Sequence, residues 1–382
     1  MAGFIPFSKP VVGEAEKAAV LRVLESGWLT SGPVTEEFTK KFAAIIGDRP
    51  AIAVSNATAA LFLALRAAGV GPGDEVITSD YTFAATANVI AACGATPVLV
   101  DVTLPYLRLD VELVEAAVTS RTKAIMPIHM AGHPDDMDAL REIARAKGLF
   151  IIEDAAHGIG ARYKGMPVGS FGEWAAFSFY ANKNMTTGEG GILISTEENL
   201  GAARLLANHG IRKTLAGRID GSNPYYEVVA PGLKFNMPSM SAAVGLAQLD
   251  RLSGMQRNRH EVAKRYDAAL GASSGLRLPS TAPEVTHGWH LYMVELNPAQ
   301  VRCGRDRFIE ELRVRGIGTS IHFVPISSQP FYRNARLHTR GKSVAKAVAA
   351  NIFSIPMHGG LSPEEVDRVS DVIGEVLHAH RI

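Results

Sequence analysis

The chain is poor in cysteine and has no long apolar run. Only Cys93 and Cys303 are present among 382 residues, far apart and without a partner motif. This usage indicates a reducing compartment, with both thiols serving as packing residues. No run approaches the roughly 18 apolar residues that a membrane-spanning helix needs, and the first residues lack the charged and apolar regions of a signal peptide. We therefore expect a soluble, cytoplasmic protein without a membrane partner.

The chain also lacks an excess of either charge. Its 39 lysines and arginines nearly balance its 38 aspartates and glutamates, for a net charge of +1. Such a balance gives no basic field for nucleic acid or for a membrane surface, so neither is expected as a partner. The length allows a large core and two domains. We place the large domain at residues 1–250 and a smaller domain at 251–382.

Short apolar runs alternate with helical patterns from about residue 51 to residue 195. The run Ala51–Val54 is followed by a helix that Asn56 can cap, and Phe150–Asp154 continues the series. This alternation predicts an α/β fold with a mostly parallel sheet covered on both faces, and the later pattern predicts a smaller α+β domain. Ligands bind outside the carboxyl ends of such strands. The polar and aromatic residues expected to meet at that edge are Asn56, Tyr81, Thr82, Phe83, His129, Asp154 and Lys183.

One lysine, Lys183, stands where a β-type run enters a polar, glycine-rich loop. The run covers 175–180, the loop extends to Gly191, and a second strand follows at 192–195. Burying an ammonium is costly, but a desolvated lysine loses its proton easily and can form a Schiff base with an aldehyde cofactor. The alternative is a solvated surface charge.

The same edge carries a candidate anion site and a carboxylate. The segment Ser55–Ala60 places backbone amides and Thr58 at the start of a helix, which suits a phosphate or is simply a helix cap. Asp154 ends a strand and can keep a pyridine nitrogen protonated, as carbanion chemistry requires, or can cap a turn.

Three further residues complete the candidate site. Phe83 can stack on a flat ring or fill the core, and His157 can reach a ring hydroxyl or be a satisfied core histidine. Ser178 can bind phosphate or make a cross-strand hydrogen bond. Pyridoxal 5'-phosphate needs an anion site, a ring sandwich, a pyridinium partner and a Schiff-base lysine, so we expect this cofactor.

Motifs along nearly the whole chain carry a resemblance to a known family. They are 26–33, 71–77, 82–86, 152–157, 178–191, 231–237, 242–248, 316–319 and 322–325. Together they resemble the pyridoxal-phosphate-dependent sugar-nucleotide aminotransferases of the DegT type. The resemblance implies fold type I, a three-layer sandwich with a mostly parallel central sheet and a smaller C-terminal α+β domain.

The resemblance implies a role for each matched position. Lys183 corresponds to the Schiff-base lysine and Asp154 to the partner of the ring nitrogen. The other matched contacts are the phosphate ligands Thr58, Ala59 and Ser178, the stacking Phe83, and His157 beside the ring hydroxyl.

The resemblance also implies a homodimer with shared active sites. Many members read Gly-Tyr-Asn-Tyr-Arg at Gly232, and that asparagine reaches the phosphate bound by the neighbouring subunit. This chain has Lys234 and Asn236, and either can be the residue that crosses. The same difference occurs in the branch that aminates a 4-keto sugar on UDP, such as the 4-amino-4-deoxy-L-arabinose aminotransferases. The segments 4–10 and 287–291 resemble that branch too.

The implied reaction is a ping-pong transamination. L-Glutamate is the implied amino donor, pyridoxamine 5'-phosphate the intermediate cofactor form, and a nucleotide-linked keto sugar the acceptor. Arg212 and Lys213 are candidates for the sugar's diphosphate. His287 and His290 have no cysteine or carboxylate cluster beside them, so no metal site is expected.

Three other functions stay open. The dehydratase branch of the same family has histidine where this chain has Lys183, and a non-catalytic regulator can also bind the cofactor. A Rossmann nucleotide-binding protein is the third, although no G-x-G-x-x-G follows the first strand.

Overall fold

The computed structural model describes residues 3–212 and 226–382. Its strands are β1 (Ala51–Val54), β2 (Glu75–Ser79), β3 (Thr96–Val100), β4 (Val102–Thr103), β5 (Arg108–Leu109), β6 (Thr122–Met126), β7 (Phe150–Asp154), β8 (Arg162–Tyr163), β9 (Met166–Pro167), β10 (Trp174–Ser178), β11 (Gly191–Ile194), β12 (Ile211–Arg212), β13 (Glu227–Val228), β14 (Leu276–Arg277), β15 (Val285–Thr286), β16 (Tyr292–Leu296), β17 (Leu337–His338) and β18 (Ile352–Ile355). Its α-helices are α1 (Glu14–Ser26), α2 (Pro33–Ile45), α3 (Ala57–Ala67), α4 (Ala84–Ala92), α5 (Val111–Ala117), α6 (Met137–Lys147), α7 (Glu197–Leu206), α8 (Ser239–Leu270), α9 (Arg305–Val314), α10 (Val344–Ala349) and α11 (Pro363–Ala379).

The central sheet has eight strands in the order β1-β11-β10-β7-β6-β2-β3-β17. Strand β11 pairs antiparallel with both β1 and β10, whereas the other neighbours are parallel. Parallel neighbours require crossover connections, which α4, α5 and α6 supply. The prediction of a mostly parallel α/β sheet is confirmed. Because β2, β6, β7 and β10 run the same way, their carboxyl ends lie along one edge.

Helices cover both faces of this sheet. Apolar residues of α3 and α4 pack on one face, around Ile152, Trp174 and Leu193. Residues of α5 and α6 pack on the other face, around Ile77 and Ile125. The strands β2, β10 and β11 are buried at every position, as expected for a sheet without a solvated face. The layers of the predicted sandwich are therefore present.

A smaller antiparallel sheet, β14-β16-β18, packs with α9 and α11 near the C-terminus. Helix α8 joins it to the large sheet without a break: its first half packs against α1 through Ala243 and Ala247, and its second half enters the smaller core through Val262 and Tyr266. The domain boundary that we place between residues 250 and 251 falls inside this continuous helix. It remains a proposal about how the chain is divided.

None of the helices described is both long enough and apolar enough to cross a lipid bilayer. Cys93 is buried, Cys303 is partly buried, and both thiols are free.

Candidate active site

A cavity of about 990 Å³ lies at the carboxyl ends of the parallel strands. Asp154 and Ser178 reach it because they end β7 and β10. The predicted residues that line the cavity are Asn56, Thr58, Ala59, Thr82, Phe83, Asp154, His157, Ser178 and Lys183. The fold thus brings together residues that are up to 125 positions apart in the sequence (from Thr58 to Lys183).

The start of α3 forms one end of the cavity. The Asn56 side chain caps this helix by accepting a hydrogen bond from the Ala59 amide at 2.8 Å. First-turn amides and the helix dipole favour an anion here. Strand β11 can approach the start of α3 closely because residue 191 is glycine. A Cβ at this position would lie 2.5 Å from the Asn56 carbonyl carbon. The sequence around Asn56 and Gly191 therefore builds a compact cradle suited to phosphate, and the Ala59 amide there is engaged by the Asn56 cap.

Asp154 is only 6% exposed, yet its carboxylate is well supplied with donors. Oδ2 accepts from the Thr86 hydroxyl at 2.8 Å, and Oδ1 accepts from the Ala156 amide at 3.1 Å. Burial raises the pKa of Asp154, while these two hydrogen bonds and the nearby Lys183 partly offset the rise. A buried, fixed carboxylate of this kind is suited to pairing with a cationic ring nitrogen.

Lys183 is held in the turn that follows β10. Its backbone amide donates to the Tyr180 carbonyl at 2.9 Å. The next residue, Asn184, anchors the loop by donating to the carbonyls of Ile159 at 3.1 Å and Gly288 at 2.6 Å. Burial lowers the pKa of the Lys183 amine from 10.5 to about 8, and attraction to Asp154 only partly opposes this. A neutral amine is therefore accessible near physiological pH.

This shift predicts the pH at which Lys183 becomes reactive in the protein without cofactor. Only the neutral amine attacks an aldehyde, so labelling should rise with a midpoint near pH 8. The measurement is reductive methylation with formaldehyde, resolved by residue with mass spectrometry. The variant Asp154→Asn removes a stabilising charge and should move the midpoint lower. A wild-type midpoint near the ordinary lysine value of 10.5 would contradict the assignment.

His157 packs among other rings at the wall of the cavity. Its ring centroid lies 4.3 Å from that of His290 and 6.0 Å from that of Phe323. Burial, reinforced by Lys183 and His322, lowers the pKa of His157 well below 6.5, so the ring is neutral. Within residues 3–212 and 226–382, its Nδ1 atom is buried without a hydrogen-bond partner, as is Oδ1 of Asn182.

Phe83 lies just before α4 and is 59% exposed. Its ring contacts Phe323 at a centroid distance of 5.7 Å, with a tilt of 48°. A large exposed ring at the wall of a cavity has a face free for stacking. The site fits pyridoxal 5'-phosphate group by group. The cradle suits its phosphate, the Asp154 carboxylate its pyridine nitrogen and the Lys183 amine its aldehyde. The unpartnered polar atoms suit its hydroxyl, and the Phe83 ring suits its ring face.

Two predicted residues do not line the cavity of their own chain. The Lys234 ammonium donates to Oδ1 of Asn208 at 3.1 Å, and the side-chain amide of Asn236 donates to the Ser31 hydroxyl at 2.9 Å. The residues Leu233 and Phe235 do line the cavity. Contacts of Lys234 or Asn236 with a cofactor therefore remain a prediction about a second subunit.

Other expectations for the edge need adjustment. Tyr81 and His129 are buried and do not line the cavity. The Tyr81 hydroxyl donates to the His322 carbonyl, and His129 Nε2 contacts Glu153 at 3.1 Å. Arg212 belongs to β12 and is not part of the lining. Lys213 lies outside the described residues. Among the residues that are described, no three histidine, cysteine or acidic side chains form a metal-binding group.

The sequence reasoning missed several lining residues, among them Asn182, His290, His322 and Phe323. His290 and His322 come from segments near β16 and β18, so their approach depends on how the smaller sheet packs on the large one. The motifs at 287–291 and 322–325 were the available signals, but neither indicates a position at the cavity by itself.

This placement of a lysine, an aspartate and a helix start on a mostly parallel sheet defines a pyridoxal-phosphate-dependent enzyme of fold type I. The model of the DegT/DnrJ/EryC1/StrS aminotransferase family matches residues 10–374. The chain belongs to this family, and its cofactor is pyridoxal 5'-phosphate. The family identifies it as a sugar aminotransferase and sets aside the Rossmann interpretation.

Individual relatives agree over nearly their full lengths. The chain is 43% identical to the spore coat polysaccharide biosynthesis protein SpsC of Bacillus subtilis, over 98% of this chain and 97% of that protein. The PMP form of Spr1654 from Streptococcus pneumoniae superposes with a TM-score of 0.91 at 34% identity, covering 98% and 99% of the two chains. PseC of Helicobacter pylori, an aminotransferase involved in the biosynthesis of pseudoaminic acid, gives 0.90 at 26% identity, covering 98% and 100%.

Proposed function

We propose that this enzyme transfers the amino group of L-glutamate to a nucleotide-linked keto sugar, with a UDP-4-keto sugar as the first candidate. The observation that carries the proposal is the placement of Lys183 and Asp154 in one cavity with an anion-binding helix start. The dehydratase alternative requires histidine at position 183, where this chain has lysine.

The side chains divide the work of amino transfer. Pyridoxal 5'-phosphate, when bound, supplies the electron sink for carbanion chemistry. Asp154 keeps the ring nitrogen protonated through its buried charge. The Lys183 amine, with its pKa lowered to about 8, removes the α-proton of the amino donor and returns a proton later. Thr58, Ala59 and Ser178 are the proposed phosphate ligands.

The size of the cavity supports a large acceptor. Ligand pockets for compounds of drug size range from roughly 300 to 1,000 Å³, so about 990 Å³ can hold a cofactor and part of a second ligand. Beyond the charged residues, the wall continues over Phe62, Val89 and Ala92. The involvement of SpsC in polysaccharide biosynthesis and of PseC in the biosynthesis of pseudoaminic acid supports a sugar product that enters a surface polysaccharide.

We place the enzyme in the cytoplasm as a homodimer with shared sites. In one chain Lys234 and Asn236 are bonded outside the cavity, while Leu233 remains 50% exposed beside them. This arrangement supports a segment that faces a second subunit, with Lys234 or Asn236 reaching the partner's phosphate site.

A panel of substrates tests the proposed function. The enzyme with cofactor is incubated with L-glutamate and UDP-, dTDP- or GDP-linked keto sugars, and products are analysed by mass spectrometry. We expect glutamate-dependent amination with a preference for a UDP-4-keto sugar. Loss of a sugar hydroxyl without amination would support the dehydratase. Cofactor binding without any turnover across the panel would support the regulator.

A further inference from the structure

A chain of hydroxyl groups leads to the aspartate of the site. Thr82 lies just before α4 and Thr86 lies in its first turn, and their Oγ1 atoms are 2.9 Å apart. The Thr86 hydroxyl is 2.8 Å from Oδ2 of Asp154. Thr82 is 2% exposed and lines the cavity, and Thr86 is 0% exposed, so both hydroxyls are largely shielded from solvent. Two threonines in the segment 82–86 thus form a buried link to Asp154.

The direction of these hydrogen bonds follows from the number of protons. An ionised carboxylate only accepts, so Thr86 must donate its single hydroxyl proton to Asp154. The Thr86 oxygen can then only accept from Thr82, so the sequence of donors runs Thr82 to Thr86 to Asp154. Each bond in such a chain polarises the next, and a hydrogen bond to a charged group is stronger than one between neutral groups.

The structure also shows why the link is needed. Asp154 is buried at the end of β7, in contact with Thr86 of α4, and burial alone favours the protonated acid. A protonated acid cannot hold a pyridinium nitrogen by charge. The Thr86 hydroxyl is the largest of the contacts that oppose this effect of burial.

We propose that Thr86, polarised by Thr82, is a positioning residue that keeps Asp154 ionised and thereby sets how tightly the enzyme retains a protonated pyridine ring. This inference rests on the cofactor class and does not depend on the sugar or the amino donor. Neither threonine touches the proposed reacting atoms, and their effect passes through the Asp154 carboxylate.

The test compares two ligands that differ only at the ring nitrogen. Pyridoxamine 5'-phosphate and its 1-deaza analogue, which has carbon in place of that nitrogen, are titrated into the apoprotein by isothermal calorimetry. In Thr86→Val, which keeps the shape but lacks the hydroxyl, we expect affinity for pyridoxamine 5'-phosphate to fall by about 10- to 100-fold. Affinity for the deaza analogue should stay unchanged. Thr86→Ser, which keeps the hydroxyl, should retain the wild-type affinity for pyridoxamine 5'-phosphate.

The second position gives an independent check. Thr82→Val leaves the bond from Thr86 to Asp154 in place but removes its polarising donor, so we expect a smaller loss that is again confined to the natural ring. If Thr86→Val does not fold, Thr82→Val decides by the same comparison. Equal weakening of both ligands, or no weakening of pyridoxamine 5'-phosphate, would overturn the proposal.

Discussion

Replacing Lys183 with alanine is expected to lower the rate of amino transfer by on the order of 10⁴-fold, because the variant loses its acid–base group. It also loses the amine that attaches the cofactor covalently. The phosphate cradle and Asp154 are untouched, so the variant should still bind pyridoxamine 5'-phosphate. Single-turnover conversion of glutamate to 2-oxoglutarate measures the loss.

A matched control is available in Lys164. This lysine is exposed, pairs with Asp138, and lies away from the residues that line the cavity. Lys164→Ala should turn over like the wild type. Retention of wild-type turnover by Lys183→Ala would exclude Lys183 as the catalytic amine.

Replacing Asp154 with asparagine is the second substitution for which a large effect is expected. The side chain keeps its size but loses the charge that stabilises a protonated ring nitrogen, so kcat should fall by about 10² to 10³-fold. Measuring kcat and KM with saturating cofactor separates this loss from weaker cofactor binding.

A modified cofactor shows whether that loss has the expected cause. A pyridoxal 5'-phosphate methylated at the ring nitrogen carries a fixed positive charge and does not need Asp154 to hold a proton. It should therefore restore part of the rate to Asp154→Ala, which leaves room for the methyl group. Failure of the methylated cofactor in a variant that folds and binds it would mean that Asp154 acts mainly by packing.

Much of the large sheet could be predicted because its strands are short apolar runs bounded by turn residues. The predicted strand Phe150–Asp154 is reproduced by β7, and the helix predicted after Asn56 is α3. The position of Asp154 and Lys183 at one edge followed from the same rule, since parallel strands present their carboxyl ends together.

The remaining features depend on packing that local patterns do not encode. Helix α8 continues through residue 250 because its two halves bury apolar faces against different cores. His290 and His322 reach the cavity only because the smaller sheet docks beside it. Tyr81 follows a strand as the edge residues do, but its side chain is buried, donates to the His322 carbonyl and does not line the cavity.

The most direct measurement locates the cofactor on the chain. The wild-type enzyme loaded with pyridoxal 5'-phosphate is reduced with borohydride, digested, and analysed by mass spectrometry, with Lys164→Ala and Lys183→Ala treated in parallel. We expect the added cofactor mass on the peptide that contains Lys183, in the wild type and in Lys164→Ala. Modification of a different lysine, or none in the wild type, would contradict the assignment of Lys183.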